Sequence, residues 1–141
     1  MKMVVGLIEK VKLIGRKKSL TTLAKFDTGA KWSSIDKRLA KKLGVKVIKE
    51  KKVKSSLGKQ KRMLVELKME IYGRRFDVKA TMADRSKLNY LFLVGRNLIF
   101  RNFIVDVEKT NNSPSSIDLK DYLKDDFKKL KKIREVLGVK R

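Results

Sequence analysis

Apolar and polar residues alternate strictly through Val65-Glu66-Leu67-Lys68-Met69-Glu70-Ile71. A period of two sends one side chain inward and the next to solvent, so this segment predicts a half-buried strand. Tyr72-Gly73-Arg74-Arg75 turns the chain, and Phe76, Val78, Ala80 and Met82 carry the alternation back, which completes a predicted hairpin. Near the N-terminus, Met3 to Ile14 is rich in apolar and β-branched residues. Gly15 to Ser19 supplies a turn, and Leu20 to Phe26 returns as a second strand. Val45 to Val53 reads as a lysine-loaded strand, and Lys54 to Arg62, with Ser55, Ser56 and Gly58, as a polar, flexible hairpin tip. Asp84 to Asn89 is a further turn. Leu91-Phe92-Leu93-Val94 is short, wholly apolar and ends at Gly95, as suits a strand covered on both faces. A helical turn is expected over Leu98 to Phe103 and a last strand over Phe103 to Val107.

Two stretches depart from this period. Ser34 is the expected N-cap of a short helix over Ile35 to Leu43, with Leu39, Ala40 and Leu43 on one face and Gly44 as its C-terminal stop. Thr110 to Ser116 is polar, contains the sole proline, Pro114, and reads as a linker. Beyond it Leu119, Tyr122, Leu123, Phe127, Leu130, Ile133 and Leu137 recur every three or four residues, the pattern of an amphipathic helix ended by Gly138. The expected organisation is therefore one mainly β domain over 1–109, a linker over 110–116, and a C-terminal helix over 117–138 that packs on the sheet or on a second subunit.

Composition narrows the chemistry. The 141 residues include no cysteine and no histidine, which excludes disulfides, thiolate and imidazole metal sites, and every Ser-His or Cys-His mechanism. Carboxylates, lysines and tyrosines remain for acid–base work. The formal net charge is +23. Residues 1–108 hold 28 basic and 10 acidic side chains, a net of +18, so the charge belongs mainly to the β domain and not to a tail. A heat-adapted surface would balance lysine with glutamate, and this chain does not. The excess is either a solvated surface or the mark of a polyanionic partner, whether an acidic substrate or a nucleic acid or ribosome. No apolar stretch approaches a membrane span and no secretory leader is legible at the N-terminus, so a cytoplasmic location is expected.

One carboxylate stands out. Leu23-Ala24-Lys25-Phe26 is an apolar strand that leads into Asp27-Thr28-Gly29-Ala30, residues suited to a tight turn around a side chain. An aspartic peptidase needs two carboxylates a few ångströms apart that share a proton, one serving as acid while the other activates water. The sequence that delivers such an aspartate has an apolar strand before it, small and hydroxyl residues after it, and a second apolar run ending in glycine that packs across the loop. Leu91 to Gly95 is that run, and the hairpin tip between, centred on Ser56, Leu57, Gly58 and Lys59, is placed to act as a flap.

Ala24-Lys25-Phe26-Asp27-Thr28-Gly29-Ala30-Lys31-Trp32-Ser33-Ser34, Thr81-Met82-Ala83-Asp84-Arg85-Ser86, Leu93-Val94-Gly95-Arg96-Asn97-Leu98 and Phe103-Ile104-Val105-Asp106-Val107 together resemble the retropepsin-like family often labelled RimK-associated, putative ATP-dependent zinc proteases. The likeness spans roughly residues 20–108. It implies a small closed barrel of the acid-protease type, a homodimer with one Asp27 from each subunit, and hydrolysis of peptide bonds by activated water. It also implies that Thr28 braces the dimer at the base of the cleft, Gly29 faces substrate, and Arg96 anchors the loop, with Ala30, Gly95 and Asn97 in support. Lys31, Asp84 and Arg85 are secondary candidates. Lys31 stands where many retroviral peptidases carry an acidic residue, so their contacts at that position do not transfer. Zinc is not expected without a histidine or cysteine, and no Gly-x-x-x-x-Gly-Lys-Ser/Thr loop is present for ATP. No cofactor is therefore expected. ATP dependence would come from a partner, such as an ATP-grasp ligase that adds glutamates to a ribosomal protein, and polyglutamate becomes the acidic substrate that suits the charge. The alternative expectation is a non-catalytic basic module for RNA or the ribosome on the same fold.

Overall fold

Both hairpins read from alternation and turn residues form in the structure, a computed structural model that describes residues 1–55 and 58–110. Strands β1 (Met3–Ile14) and β2 (Ser19–Phe26) pair antiparallel, as do β5 (Gly58–Ile71) and β6 (Arg74–Ala83). Strands β3 (Ser33–Asp36), β4 (Lys46–Ser55), β7 (Phe92–Val94) and β8 (Phe103–Thr110) complete the sheet, with helices α1 (Lys37–Leu43) and α2 (Arg96–Ile99). The strand order is β4-β5-β6-β3-β7-β2-β1-β8, and β5 also pairs with β1 through Lys12–Glu70, Leu13–Met69 and Ile14–Lys68. That last contact joins β5-β6-β3-β7-β2-β1 into a ring, leaving β4 attached outside β5 and β8 outside β1. The molecule is mostly β and closes as a small barrel. Closure leaves few free strand edges, which otherwise invite pairing with other chains. Ser56, Leu57, the linker beyond Thr110 and the helix expected over 117–138 lie outside the described residues.

Inward-facing positions of the alternating strands fill the barrel. Val65, Leu67, Met69 and Ile71 of β5 are buried, as are Val78 and Ala80 of β6. Phe26 and Phe92 are fully buried side by side, because β2 and β7 run parallel with Ala24 opposite Phe92 and Phe26 opposite Val94. Phe103 meets Phe26 edge-on with ring centroids 5.2 Å apart and packs on Phe76 at 4.9 Å, geometries that suit the aromatic quadrupole.

Two expectations require correction. The helix does not begin at Ile35 with Ser34 as cap. Residues Ser33–Asp36 are instead captured as β3 by β6 in parallel and by β7 antiparallel, and a fully buried four-residue strand outweighs local helix preference. The N-cap is Asp36, whose carboxylate accepts from the amides of Arg38 at 3.1 Å and Leu39 at 3.3 Å. Leu39, Ala40 and Leu43 are the buried face, as the periodicity predicts, and Gly44 closes the helix in the left-handed conformation (φ 71°). The second short helix starts at Arg96, ahead of the predicted Leu98, for a reason that belongs to the site described below. Lys54 to Arg62 is, as expected, the end of a hairpin. Ser55 pairs with Gly58, Lys54 with Lys59, Lys52 with Lys61 and Lys51 with Arg62, so the ladder runs to the end of the β4–β5 arm.

A polar feature inside β1 also had no counterpart in the reading of the chain. Glu9 is almost fully buried, and its carboxylate accepts from the amide of Gly6 at 2.8 Å and from the hydroxyl of Tyr72 at 3.0 Å. Gly6 and Ile8 flank a bulge in the β1–β8 pairing, and the carboxylate satisfies an amide that the bulge takes out of the ladder. Tyr72 sits in the tight β5–β6 turn at φ 50°, an uncommon conformation for a residue with a side chain. Burial, the bond to Glu9 and the charge of Glu9 push its phenol up to about 12.

Candidate active site

Asp27 is delivered by β2 to the point where β7 crosses. Its amide donates to the carbonyl of Val94 at 2.8 Å, which extends the β2–β7 ladder by one bond past Phe26. The chain then turns around the Asp27 side chain. The Gly29 amide donates to Asp27 Oδ1 at 2.9 Å, and the Ala30 amide donates to the Asp27 carbonyl at 3.2 Å. The carboxylate is thereby oriented by backbone, while Asp27 as a whole stays half-buried. A Cβ placed on Gly29 would lie 3.2 Å from Asp27 Oδ1, tight against the group that the loop must position.

The loop is held from the other side by α2. The Ala30 carbonyl accepts from the Arg96 amide at 2.7 Å and the Lys31 carbonyl from the Asn97 amide at 3.1 Å. Amides at a helix start have no partner within the helix, so these two seek carbonyls elsewhere, and the aspartate loop provides them. This explains why α2 begins at Arg96. Its N-cap residue Gly95 has no side chain to offer, and the loop carbonyls perform the capping. The Arg96 guanidinium adds a bond to the Thr28 carbonyl at 3.0 Å.

Ser33 and Asn97 lock the base of this arrangement. Asn97 Oδ1 accepts from both the amide and the hydroxyl of Ser33, each at 2.8 Å, and Asn97 Nδ2 donates to the Lys79 carbonyl at 2.7 Å. The Ser33 hydroxyl in turn accepts from the Gly95 amide at 3.0 Å. Gly95 is fixed by space, since a Cβ there would meet the Trp32 carbonyl carbon at 2.5 Å and its oxygen at 2.6 Å. Asp27, Thr28, Gly29, Ala30, Lys31, Gly95, Arg96 and Asn97 thus form one connected unit. Ser33, singled out only as part of a longer matching run, is a member of it. A buried hydroxyl opposite an asparagine sixty-four positions away leaves no local signal.

Asp84 and Arg85, adjacent and oppositely charged, do not pair with each other. Asp84 is exposed and accepts from the amide and hydroxyl of Ser86, which hold its carboxyl below the usual range. Arg85 donates its amide to Asp36 Oδ1 at 2.8 Å and its Nε to the Tyr90 carbonyl at 2.9 Å. The geometry of a residue and its neighbour on an extended strand end sends the two side chains to opposite faces. Arg85 points to the cleft side. Burial and the charge of Arg62 lower its guanidinium from the ordinary value, while Asp36 and Asp27 pull it back up. Asp36 is therefore a second residue that sequence reading missed. Its nearly inaccessible carboxylate ties the start of α1 to the Arg85 backbone and so places that guanidinium within electrostatic reach of Asp27.

Of the expected flap residues, Ser56 and Leu57 lie outside the described residues, while Gly58 and Lys59 are the first residues of β5. The arm that carries them touches the site at its base. Lys51 Nζ stands 4.3 Å from the centre of the Trp32 ring, a cation–π contact that joins β4 to the segment following Ala30.

The arrangement is a carboxylate cradled at the end of two paired parallel strands, with the Arg96 guanidinium on its loop and the Arg85 guanidinium within electrostatic reach. The chain supplies one such carboxylate. Among solved structures, the fold is similar to that of protein Lpg0085 of unknown function (DUF785) from Legionella pneumophila, with a TM-score of 0.58 and 23% identity over 79% of this chain and 98% of that one. The solution structure of simian foamy virus (mac) protease gives a TM-score of 0.47 with 13% identity, covering 64% of this chain and 88% of that one. EIAV protease complexed with the inhibitor HBY-793 gives 0.46 with 14% identity, over 64% and 83%. No curated protein matches the chain by sequence. The family model described as RimB-like, retropepsin-like aspartic endopeptidase RimB, matches residues 36–115, a segment that begins after Asp27 and contains Arg85, Gly95, Arg96 and Asn97. The chain belongs to this retropepsin-like RimB family.

Proposed function

We propose that the protein is an aspartic endopeptidase whose catalytic pair is Asp27 from each of two identical subunits. The observation that carries this reading is the cradle of Asp27, a half-buried carboxylate aimed by the Gly29 amide and braced by the Arg96 and Asn97 amides through Ala30 and Lys31. Two such carboxylates brought together share one proton, because like charges at that distance resist joint ionisation. The ionised member takes a proton from water as the water attacks the peptide carbonyl, and the protonated member gives its proton toward the carbonyl oxygen. Breakdown returns a proton to the amine that leaves. Thr28, exposed at the tip of the turn, faces the partner subunit in this assembly, and Gly29 lies along the bound peptide.

The charge selects the substrate class. Burial and, after it, the nearby charge of Arg62 lower the Arg85 guanidinium, and Asp27 is within reach of the same group. A cleft with this field attracts acidic peptides and concentrates them ahead of any specific contact, so glutamate-rich segments, including polyglutamate, are the proposed substrates. A cytoplasmic setting and association with an ATP-grasp glutamate ligase or the ribosome suit that substrate. No cofactor enters the reaction.

Sedimentation at moderate salt tests the assembly first, because a monomer at all concentrations lacks the second carboxylate. Polyglutamyl and neutral peptides are then offered across pH 4–8 (chosen to bracket carboxylate pairs) to wild type and Asp27→Asn. Loss of acid–base function is worth on the order of 10²–10⁴-fold in rate, with fold and dimer retained. Cleavage of neutral peptides alone would overturn the acidic substrate, and turnover unaffected by Asp27→Asn would overturn the mechanism. In the latter case the alternative, a non-catalytic basic module for RNA or the ribosome, takes its place.

A further inference from the structure

Two neighbouring hairpins treat charge in opposite ways. Across β5–β6, the charged residues face one another as Glu66–Lys79, Lys68–Asp77 and Glu70–Arg75, and two of these form ion pairs at 3.9 Å and 3.1 Å. Across the outer part of β4–β5, the facing residues are Lys51–Arg62, Lys52–Lys61 and Lys54–Lys59. Directly opposed residues on an antiparallel pair have Cβ atoms about 5 Å apart, and like charges there weaken the hairpin. The arm thus carries an uncompensated repulsion at three successive charged rungs. The adjacent hairpin shows that the same chain balances such rungs elsewhere.

The pleat sorts these cations onto two faces. Leu64 is buried and shares its face with Arg62 two residues before it, and Lys51, opposite Arg62, lies over Trp32. That face turns toward Trp32 and Arg85. Lys52, Lys54, Lys59 and Lys61 occupy the other face and are exposed. They form two cross-strand rungs separated by about 7 Å along the strands, the interval at which an extended peptide presents every second side chain on one side. Glu50 is the single acidic residue on this face of the arm among the described residues.

We propose that the outer face of the β4–β5 arm is a binding surface for an acidic peptide segment, and that occupancy by its carboxylates relieves the Lys52–Lys61 and Lys54–Lys59 repulsion and so orders the arm. The surface lies apart from Asp27 and serves a part of the peptide remote from the bond to be cut. The identity of that peptide as substrate rests on the acidic-substrate reading above. A peptide is favoured over nucleic acid because no aromatic residue occurs in Lys46–Ser55 or Gly58–Ile71, whereas surfaces for single-stranded nucleic acid add aromatic platforms to their cations.

The test uses the full chain bearing Asp27→Asn, so that binding is read without turnover. Poly-L-glutamate is the probe, and amide hydrogen exchange is followed at residues 50–54 and 59–63. Lys52→Glu with Lys59→Glu places one acidic residue on each strand and converts both outer rungs to opposite charge. Lys10→Glu with Lys18→Glu, both exposed and off the arm, makes the same change in net charge. The expected result is that poly-L-glutamate slows exchange in the arm of the parent. The arm variant is already slow without ligand and binds roughly tenfold or more weakly, since two exposed attractions become repulsions. The control retains most of its affinity and its response. Equal losses in the two double variants would overturn the proposal, as would an arm whose exchange ignores poly-L-glutamate. Protection by polyuridylate but not by poly-L-glutamate would overturn it in favour of nucleic acid. Asp27-dependent cleavage of polyglutamate by a chain whose arm is unresponsive would sink this inference alone and leave the peptidase reading intact.

Discussion

Asn97 accepts two hydrogen bonds from Ser33 on a single oxygen, from the amide and from the hydroxyl, both at 2.8 Å. With the Gly95 amide bonded to the same hydroxyl at 3.0 Å, this contact fastens the start of α2 to β3 directly beneath the Asp27 loop. The neighbouring Ser34 provides the contrast. Its hydroxyl is buried and has no hydrogen-bond partner among the described residues. Removing a hydroxyl whose partners are then left unsatisfied costs about 1–3 kcal/mol, whereas removing an unpartnered one can be neutral or stabilising. Chemical denaturation is expected to show Ser33→Ala destabilised by an amount in that range and Ser34→Ala unchanged or improved.

Gly95 and Gly29 predict separable failures. A methyl group on Gly95 runs into the Trp32 backbone at 2.5 Å, and backbone cannot move aside as a side-chain end can. Overpacking of this kind costs about 1–3 kcal/mol, so Gly95→Ala lowers the thermal midpoint. A methyl group on Gly29 approaches only the Asp27 carboxylate, at 3.2 Å. Gly29→Ala is expected to keep nearly full stability while reducing peptide cleavage, read as kcat against the same substrate.

Asp36 supports two elements at once. Its Oδ2 caps α1 through Arg38 and Leu39, and its Oδ1 receives the Arg85 amide. Loss of an N-cap alone costs about 0.5–2 kcal/mol, and the stranded Arg85 amide adds to it. Asp36→Asn keeps the side-chain carbonyl acceptor and Asp36→Ala does not, so the asparagine variant recovers part of the loss in a denaturant titration. Because Asp36 also positions Arg85, the alanine variant is expected to raise KM for acidic peptides more than for neutral ones.

Tyr72 makes a prediction in alkali. Its phenol is raised from 10.0 to about 12 in the folded protein, so folding favours the protonated form. The associated stability is fully present below pH 10 and is lost as pH rises toward 12. Titrating tyrosinate absorbance of wild type against Tyr72→Phe isolates this group from the other two tyrosines of the chain. The difference should titrate near pH 12, and the variant's stability should fall less steeply over that window. A difference that titrates near 10 would show that Glu9 does not hold the hydroxyl.

Much of the barrel was legible along the chain because its strands are half-buried. Alternation from Val65 to Ile71 and back through Met82 is a local record of which side faces the interior, and turn residues at Gly15 to Ser19 and at Tyr72-Gly73 punctuate it. Asp27 was legible too, since an apolar strand followed by Thr-Gly-Ala constrains the backbone locally whatever lies around it. The pairing of β7 with β2, by contrast, joins segments some seventy residues apart, and only the bonded ladder with Asp27 on Val94 establishes it.

Sequence by itself determined the mainly β character, the strand and turn around Asp27, the basic charge and the exclusion of histidine and cysteine chemistry, because composition and short-range period are properties of the chain alone. Tertiary structure decided that Ser33–Asp36 is strand, that Asp36 and not Ser34 caps α1, that Arg85 turns to the cleft and leaves Asp84 to Ser86, and that the arm's cations face one another. Each depends on which distant backbone comes alongside. A buried amide or carboxylate takes whatever partner packing brings within about 3 Å, and strand register fixes which charges meet.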